Sequence, residues 1–284
     1  MKSGLKRFVG ATALVLLAAA VAGCNSSNRT SSAPGSSAAG TSPNNTATDT
    51  SKSKVGSTVT ANLMQTLSTI SRHSLMQKGA PAKVSLQSIS GPRLGSGKPV
   101  VLYIGADFCP YCAALRWPLV VALLRFGNFD GLRYMRSSST DVYADTVTFS
   151  FDGARYNSDY IQFEAVDTAD RQGHALNKPT DAQQSVFQQF DVPPYTKVPG
   201  AIPFVYFGGR YVENMAPFMP NLLSSLSWQN VGRQLKAGQS DLSNQIIGAA
   251  NVYTAAICEL TDGKPASVCN SPAIRAASGK LPDN

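Results

Sequence analysis

The sequence is poor in histidine: His73 and His174 are the only two in 284 residues. His73 lies among polar neighbours and His174 in a polar stretch, so both read as surface residues. No methionine or histidine cluster accompanies the cysteines, which argues against copper delivery. The composition predicts no metal and no organic cofactor. Charged residues are also scarce, at 15%. The formal charge is +8, but no Lys/Arg block and no basic–aromatic interleaving accompanies it, so no nucleic-acid groove is expected. Acidic residues are absent from the first 23 positions. There Lys2, Lys6 and Arg7 precede an apolar run, Phe8 to Ala22, that is short for a membrane-spanning helix.

That pattern reads as an export signal over residues 1–23. Val21-Ala22-Gly23-Cys24 resembles the bacterial lipobox, which implies a lipid thioether on Cys24 as the mature N-terminus. An ordinary secretory signal or an uncleaved anchor are the alternatives. Removing residues 1–23 takes away three cations and leaves a modest +5. Residues 24–56 are rich in Ser, Thr, Asn, Ala, Gly and Pro, with almost nothing to bury, and read as a flexible tether. The domain proper is expected over 57–284, where the chain's 43% hydrophobic content is enough for a core.

Cysteine is scarce too, and its placement is informative. The five are Cys24, Cys109, Cys112, Cys258 and Cys269. The odd count resolves if Cys24 is lipidated, Cys109 and Cys112 form a redox pair, and Cys258 and Cys269 form a structural bridge. A second redox centre is the alternative for the last two. All three assignments suit an oxidising, extracytoplasmic compartment.

The chain is organised around Lys98 to Gly127. Val100 to Ile104 predicts a strand, and Ala113 to Phe126 is too long an apolar run for anything but a helix. Between them stands Cys109-Pro110-Tyr111-Cys112. A thiol at a helix N-terminus meets unpaired N–H groups and the positive end of the helix dipole, which favour thiolate, the attacking species. Pro110 suits the first turn, Pro118 predicts a kink or break, and Trp117 and Phe126 are expected at the helix edges. Further helices are predicted over Thr58–Gln77, Thr180–Phe190, Asn221–Ala237 and Leu242–Leu260, and strands over Leu132–Met135, Thr146–Phe151 and Tyr160–Val166. Gly208-Gly209 between Phe204–Phe207 and Arg210-Tyr211-Val212 is a two-residue hairpin signal.

The order strand, Cys-Pro-Tyr-Cys, helix, Ile202-Pro203, hairpin, helix resembles the thioredoxin superfamily. The block G-A-D-F-C-P-Y-C-A-A-L-R-W-P-L-V-V-A-L, with I-P-F-V and the later A-N-V-Y-T-A-A-I-C, is similar to a bacterial and archaeal family of exported proteins known as a domain of unknown function. The resemblance implies an α/β fold: a thioredoxin-like central sheet flanked by helices, an insertion over 137–197, and a disulfide-pinned helical C-terminus over 240–284. It implies a cis Ile202–Pro203 bond, with Pro203 beside the dithiol and Ile202 and Tyr111 shaping a substrate groove. It implies thiol-disulfide exchange, with Cys109 as nucleophile and Cys112 as resolving thiol. The partners would be cysteine-containing exported proteins and a membrane oxidase or reductase, outside the cytoplasmic membrane. A non-catalytic binding or scaffold lipoprotein is the alternative.

Cys-Pro-Tyr-Cys and Phe207-Gly208-Gly209-Arg210 also resemble glutaredoxin, but Asp107 stands where a basic residue is usual. Asp107 is expected either to raise the nearby thiol and repel anionic glutathione, or to accept the Cys112 proton as the buried carboxylate of thioredoxins does. A solvated loop carboxylate is the third reading.

Overall fold

The computed structural model describes residues 54–76 and 84–283, all within one compact unit, Asn45–Asn284. The export signal, Cys24 and all but the last three residues of the tether lie outside the described residues. At the centre stands β2 (Val100–Gly105), buried along its whole length. Successive side chains of a strand point to opposite faces. Val100, Leu102 and Ile104 therefore enter one apolar cluster, and Val101 and Tyr103 enter the other.

β2 pairs in parallel with β7 (Gln162–Asp167) and antiparallel with β8 (Phe204–Phe207). β8 turns into β9 (Tyr211–Glu213), and β9 pairs with β1 (Gln87–Ser88). The result is a five-stranded mixed sheet, ordered β1-β9-β8-β2-β7. On one face, α3 (Asp181–Phe190) contributes Val186 and Phe190 to the smaller cluster. Thr180 caps it reciprocally with Gln183, satisfying two otherwise unpaired N–H groups. On the other face lies the larger core. It is built by α1 (Ala61–His73), α2 (Pro110–Leu123), α4 (Trp228–Ala237), α5 (Asp241–Leu260) and α7 (Pro272–Ser278).

Several expectations are corrected. Pro118 sits inside α2 without ending it. Trp117 and Phe126 lie in the core and not at its edge; Trp117 is wholly enclosed and donates Nε1–H to the Val147 carbonyl at 2.9 Å. The helix expected from Asn221 is two pieces: a 3₁₀ turn, Pro220–Leu223, and α4, which starts afresh at the Ser227 cap. The β8–β9 loop spans three residues, because Phe207 pairs with Tyr211. Gly208 and Gly209 have φ of +56° and +87°, values an L side chain rarely adopts.

The span expected as an insertion contains β7, which belongs to the main sheet. Outside that sheet stand two short ladders. β3 (Gly127–Asp130) pairs with β6 (Arg155–Ser158), and β4 (Arg133–Arg136) pairs with β5 (Val147–Ser150).

At the C-terminus α5 is capped by Ser240. Cys258 near its end is bonded to Cys269 of α6 (Ala266–Cys269). Arg125 ties α5 to α1. Its buried guanidinium donates to Ser71 O, Ser74 Oγ, Ala250 O, Asn251 Oδ1 and Thr254 Oγ1, all neutral acceptors. Burial without a carboxylate pulls it down to about 9. Among the described residues, no helix is long and apolar enough to cross a membrane.

Candidate functional site

The site forms where β2 ends. The antiparallel register sets Ile104 opposite Phe204, so the residues after β2 meet those before β8. Cys109 is the N-cap of α2 and Pro110 opens the helix. The Cys109 Sγ accepts the Cys112 backbone N–H at 3.2 Å, as a capping side chain does. The Ile202–Pro203 peptide is cis, and the Ile202 carbonyl accepts from the Cys109 thiol at 3.8 Å. Pro203 is buried and Ile202 half-buried beside it.

Both cysteines are free thiols, and their surroundings differ. Cys109 retains 5% exposure, whereas Cys112 is fully enclosed. The Cys112 thiol, the helix N–H groups and the nearby Arg116 all lower Cys109, against the opposing effect of burial. Burial first, and then the neighbouring Cys109, push Cys112 well above the ordinary thiol range. The pair is thus divided into a thiol disposed to ionise and a thiol that resists ionisation.

Asp107 is not a solvated loop carboxylate: it is 2% exposed and lies 3.1 Å from Arg116 Nη2. Ser150 Oγ donates to it at 2.9 Å. Burial raises its carboxyl to about 7, against the pull of Arg116.

The same guanidinium reaches Asp167, the last residue of β7. Asp167 also accepts from the N–H groups of Phe151 at 2.9 Å and Asp152 at 3.1 Å. Arg116 is completely buried, with the rings of Tyr103 and Phe151 5.4 Å and 5.8 Å from its Cζ. Beneath the dithiol there is therefore one cation between two carboxylates, walled by aromatics. Arg116, Asp167, Ser150 and Tyr103 went unrecognised in the sequence. Arg116 had a signal: it is the only charge in the apolar run of α2, one turn beyond Cys112.

The raised carboxyl of Asp107 makes a prediction. An acid whose folded pKa exceeds its unfolded value binds an extra proton on folding between the two, so its presence lowers stability as pH rises from about 4 to about 7. Asp107→Asn removes this dependence. The Tm of the Asn variant relative to the parent is expected to be more favourable at pH 8 than at pH 5. Parallel melting curves at all pH values would show that Asp107 does not titrate there.

The rim is more open. Tyr111 is 38% exposed and meets Tyr143 edge-on, ring centres 5.9 Å apart. Beside Phe108, a cleft of about 290 Å³ is lined by Ser138, Thr140, Asp141 and Arg171. The histidines stand apart from the dithiol: His73 is exposed on α1, and His174, in its loop, bonds to Asp170. Among the described residues, no group of three or more His, Cys, Asp or Glu side chains is arranged to hold a metal.

The family described as "Domain of unknown function (DUF929)" matches residues 83–259, which include the dithiol, the cis-proline strand and most of α5. The chain belongs to this family. The match ends one residue past Cys258, leaving Cys269 outside it. No curated protein and no solved structure matches the chain. The DUF929 segment contains every residue of the buried cluster, Tyr103, Asp107, Cys109, Cys112, Arg116, Ser150 and Asp167.

Proposed function

We propose that the protein is a thiol-disulfide oxidoreductase with a thioredoxin-like fold, lipid-anchored through Cys24 on the outer face of the cytoplasmic membrane. One observation carries this reading. Cys109 caps α2 with its pKa lowered, Cys112 is buried with its pKa raised, and the Ile202–Pro203 peptide lies against the first of them. The order strand, dithiol, helix, cis-proline, hairpin, helix supports the thioredoxin-like assignment.

In the reducing direction, the Cys109 thiolate attacks a substrate disulfide. A Cys109–substrate bond forms, the substrate S–S bond breaks, and one substrate thiolate leaves. Cys112 then loses its proton and attacks Cys109 Sγ. The Cys109–Cys112 bond forms and the second substrate thiolate departs, so two electrons pass to the substrate. Oxidation of a substrate dithiol is the same path reversed. Asp107 is a candidate acceptor for the Cys112 proton, since a carboxyl near 7 exchanges protons at neutral pH. The substrates are cysteine-containing exported proteins. A membrane oxidase or reductase recycles the dithiol, because a bare cysteine pair acts only once.

A second reading, a non-catalytic binding or scaffold lipoprotein, draws on the 5% exposure of Cys109. Cys112→Ser separates the two. The variant is expected to accumulate mixed disulfides through Cys109, seen on a non-reducing gel and lost on reduction. Absence of adducts, together with failure of Cys109 to alkylate after mild reduction, favours the scaffold.

A further inference from the structure

Disulfide exchange forms a thiolate at each cysteine in turn. Cys109 is served by the helix N-terminus. Cys112 is fully enclosed, its own N–H is taken by Cys109 Sγ and the Ala106 backbone N–H favours its charged form, yet burial still holds it well above the ordinary thiol range. It must carry charge whenever it attacks or departs, and the phenol of Tyr103 stands near it, at Gly105.

Tyr103 lies on β2, points toward α2 and is completely buried. Among the described residues its hydroxyl has no hydrogen-bond partner, the neutral Cys112 thiol included. A buried hydroxyl without a partner is costly, and such groups are uncommon in native structures. Gly105 shows what the hydroxyl faces. A Cβ placed there would stand 2.0 Å from the Tyr103 oxygen and 3.1 Å from Cys112 Sγ. The two atoms are therefore no further apart than the sum of those distances, and both crowd the place that a side chain at residue 105 would take. The other ionisable groups around them are Cys109 and Arg116 on α2, Asp107 in the preceding turn and Asp167 on β7.

We propose that the Tyr103 hydroxyl donates a hydrogen bond to the Cys112 thiolate across the bare face of Gly105, and so sets the rate of the half-reaction that forms or releases the Cys109–Cys112 bond. As a contributor to exchange, this role rests on the oxidoreductase reading. The phenol gives up no proton. It stabilises the sulfur anion equally as nucleophile in one direction and as leaving group in the other. Burial holds the phenol well above its ordinary pKa, so it remains a donor throughout the working pH range. Arg116 supplies long-range attraction from one turn further along α2, the Ala106 N–H is a backbone donor, and Tyr103 adds a side-chain donor.

The variant is Tyr103→Phe, which keeps the ring and removes the donor. Hydrogen bonds to charged groups shift ionisation by about one to two pH units. Stabilised thiolates are also weaker nucleophiles, with a Brønsted slope of about 0.4–0.5, so the net change in resolution is about three- to tenfold. With a labelled peptide disulfide as substrate, attack by Cys109 is expected to be unchanged. Decay of the mixed disulfide is expected to slow about three- to tenfold near neutrality, with its pH midpoint moved upward. An unshifted midpoint, or equal slowing of both steps at every pH, overturns the proposal and leaves Tyr103 a packing residue.

A second measurement does not need exchange at all. In a Cys109→Ser background, the NMR shift of the Cys112 Cβ reports its ionisation directly, and Tyr103→Phe is expected to raise that midpoint. A raised midpoint, with no exchange by the parent protein that keeps both cysteines, would sink the oxidoreductase reading and leave the hydrogen bond standing. An unmoved midpoint sinks the hydrogen bond alone. Should the Phe variant fail to fold, Tyr103→3-fluorotyrosine, a stronger donor of similar size, must lower the midpoint for the proposal to hold.

Discussion

Arg116→Met is expected to lower stability by about 3–5 kcal/mol, the usual cost of leaving buried carboxylates without their cation. Asp107 and Asp167 both lean on this one guanidinium, and all three side chains are buried. Methionine fills much of the same space, so the loss is electrostatic before it is steric. Without the guanidinium, burial of Asp107 loses its main opposing pull, and its already raised carboxyl rises further. Folding then takes up a proton there. The deficit is greatest at neutral and alkaline pH and shrinks as pH falls through that raised value. Urea unfolding at pH 5 and pH 8 measures it. A second variant adding Asp107→Asn and Asp167→Asn is expected to recover much of the stability, since a cluster replaced whole costs less than one broken. A deficit independent of pH, with no recovery in the triple variant, would show that Arg116 stabilises through packing.

Cys109→Ala is expected to abolish disulfide exchange, with a loss on the order of 10³-fold or more, as when an enzyme loses its nucleophile. The enclosed Cys112 cannot take over. It has no exposed surface, and its pKa is raised by burial where that of Cys109 is lowered. The two cysteine variants should therefore differ in kind. Cys112→Ser stops after the mixed disulfide, whereas Cys109→Ala never forms one. Stopped-flow measurement with a fluorogenic disulfide distinguishes them: a single burst of product for Cys112→Ser and none for Cys109→Ala. A Cys109→Ala protein that retained exchange would transfer the nucleophile to Cys112 and invert the assignment made from the cap geometry.

Much of this fold was legible because its signals are local. The strand before the dithiol, the helix ending at Phe190 and the long apolar run of α5 are short-range patterns, and each appears within a residue or two of its expected place. The misjudged elements depend on distant partners. Asn221 to Ala237 carries continuous helical spacing, but Ser227 restarts the helix by accepting the Asn230 N–H. β7 looked like part of an insertion because parallel pairing with β2 leaves no mark in sequence. The site divides in the same way. Cys109 and Cys112 declare themselves by spacing, whereas Asp167 is 51 residues from Arg116 and joins it only through the sheet. Asp107 was visible as a residue but not as a buried one, because burial is a property of what packs over it.

The two tryptophans have a practical consequence. Trp117 of α2 donates to the Val147 carbonyl, and Trp228 of α4 donates to that of Thr148. Both indoles are fully enclosed and grip adjacent peptide units of β5 from different helices. The chain has no other tryptophan. Intrinsic emission is thus a reporter of one strand and of the helix that begins with the dithiol. It should remain blue-shifted until α2 or α4 separates from β5, so an optical titration of the folded protein reads the platform beneath the thiols without any added label.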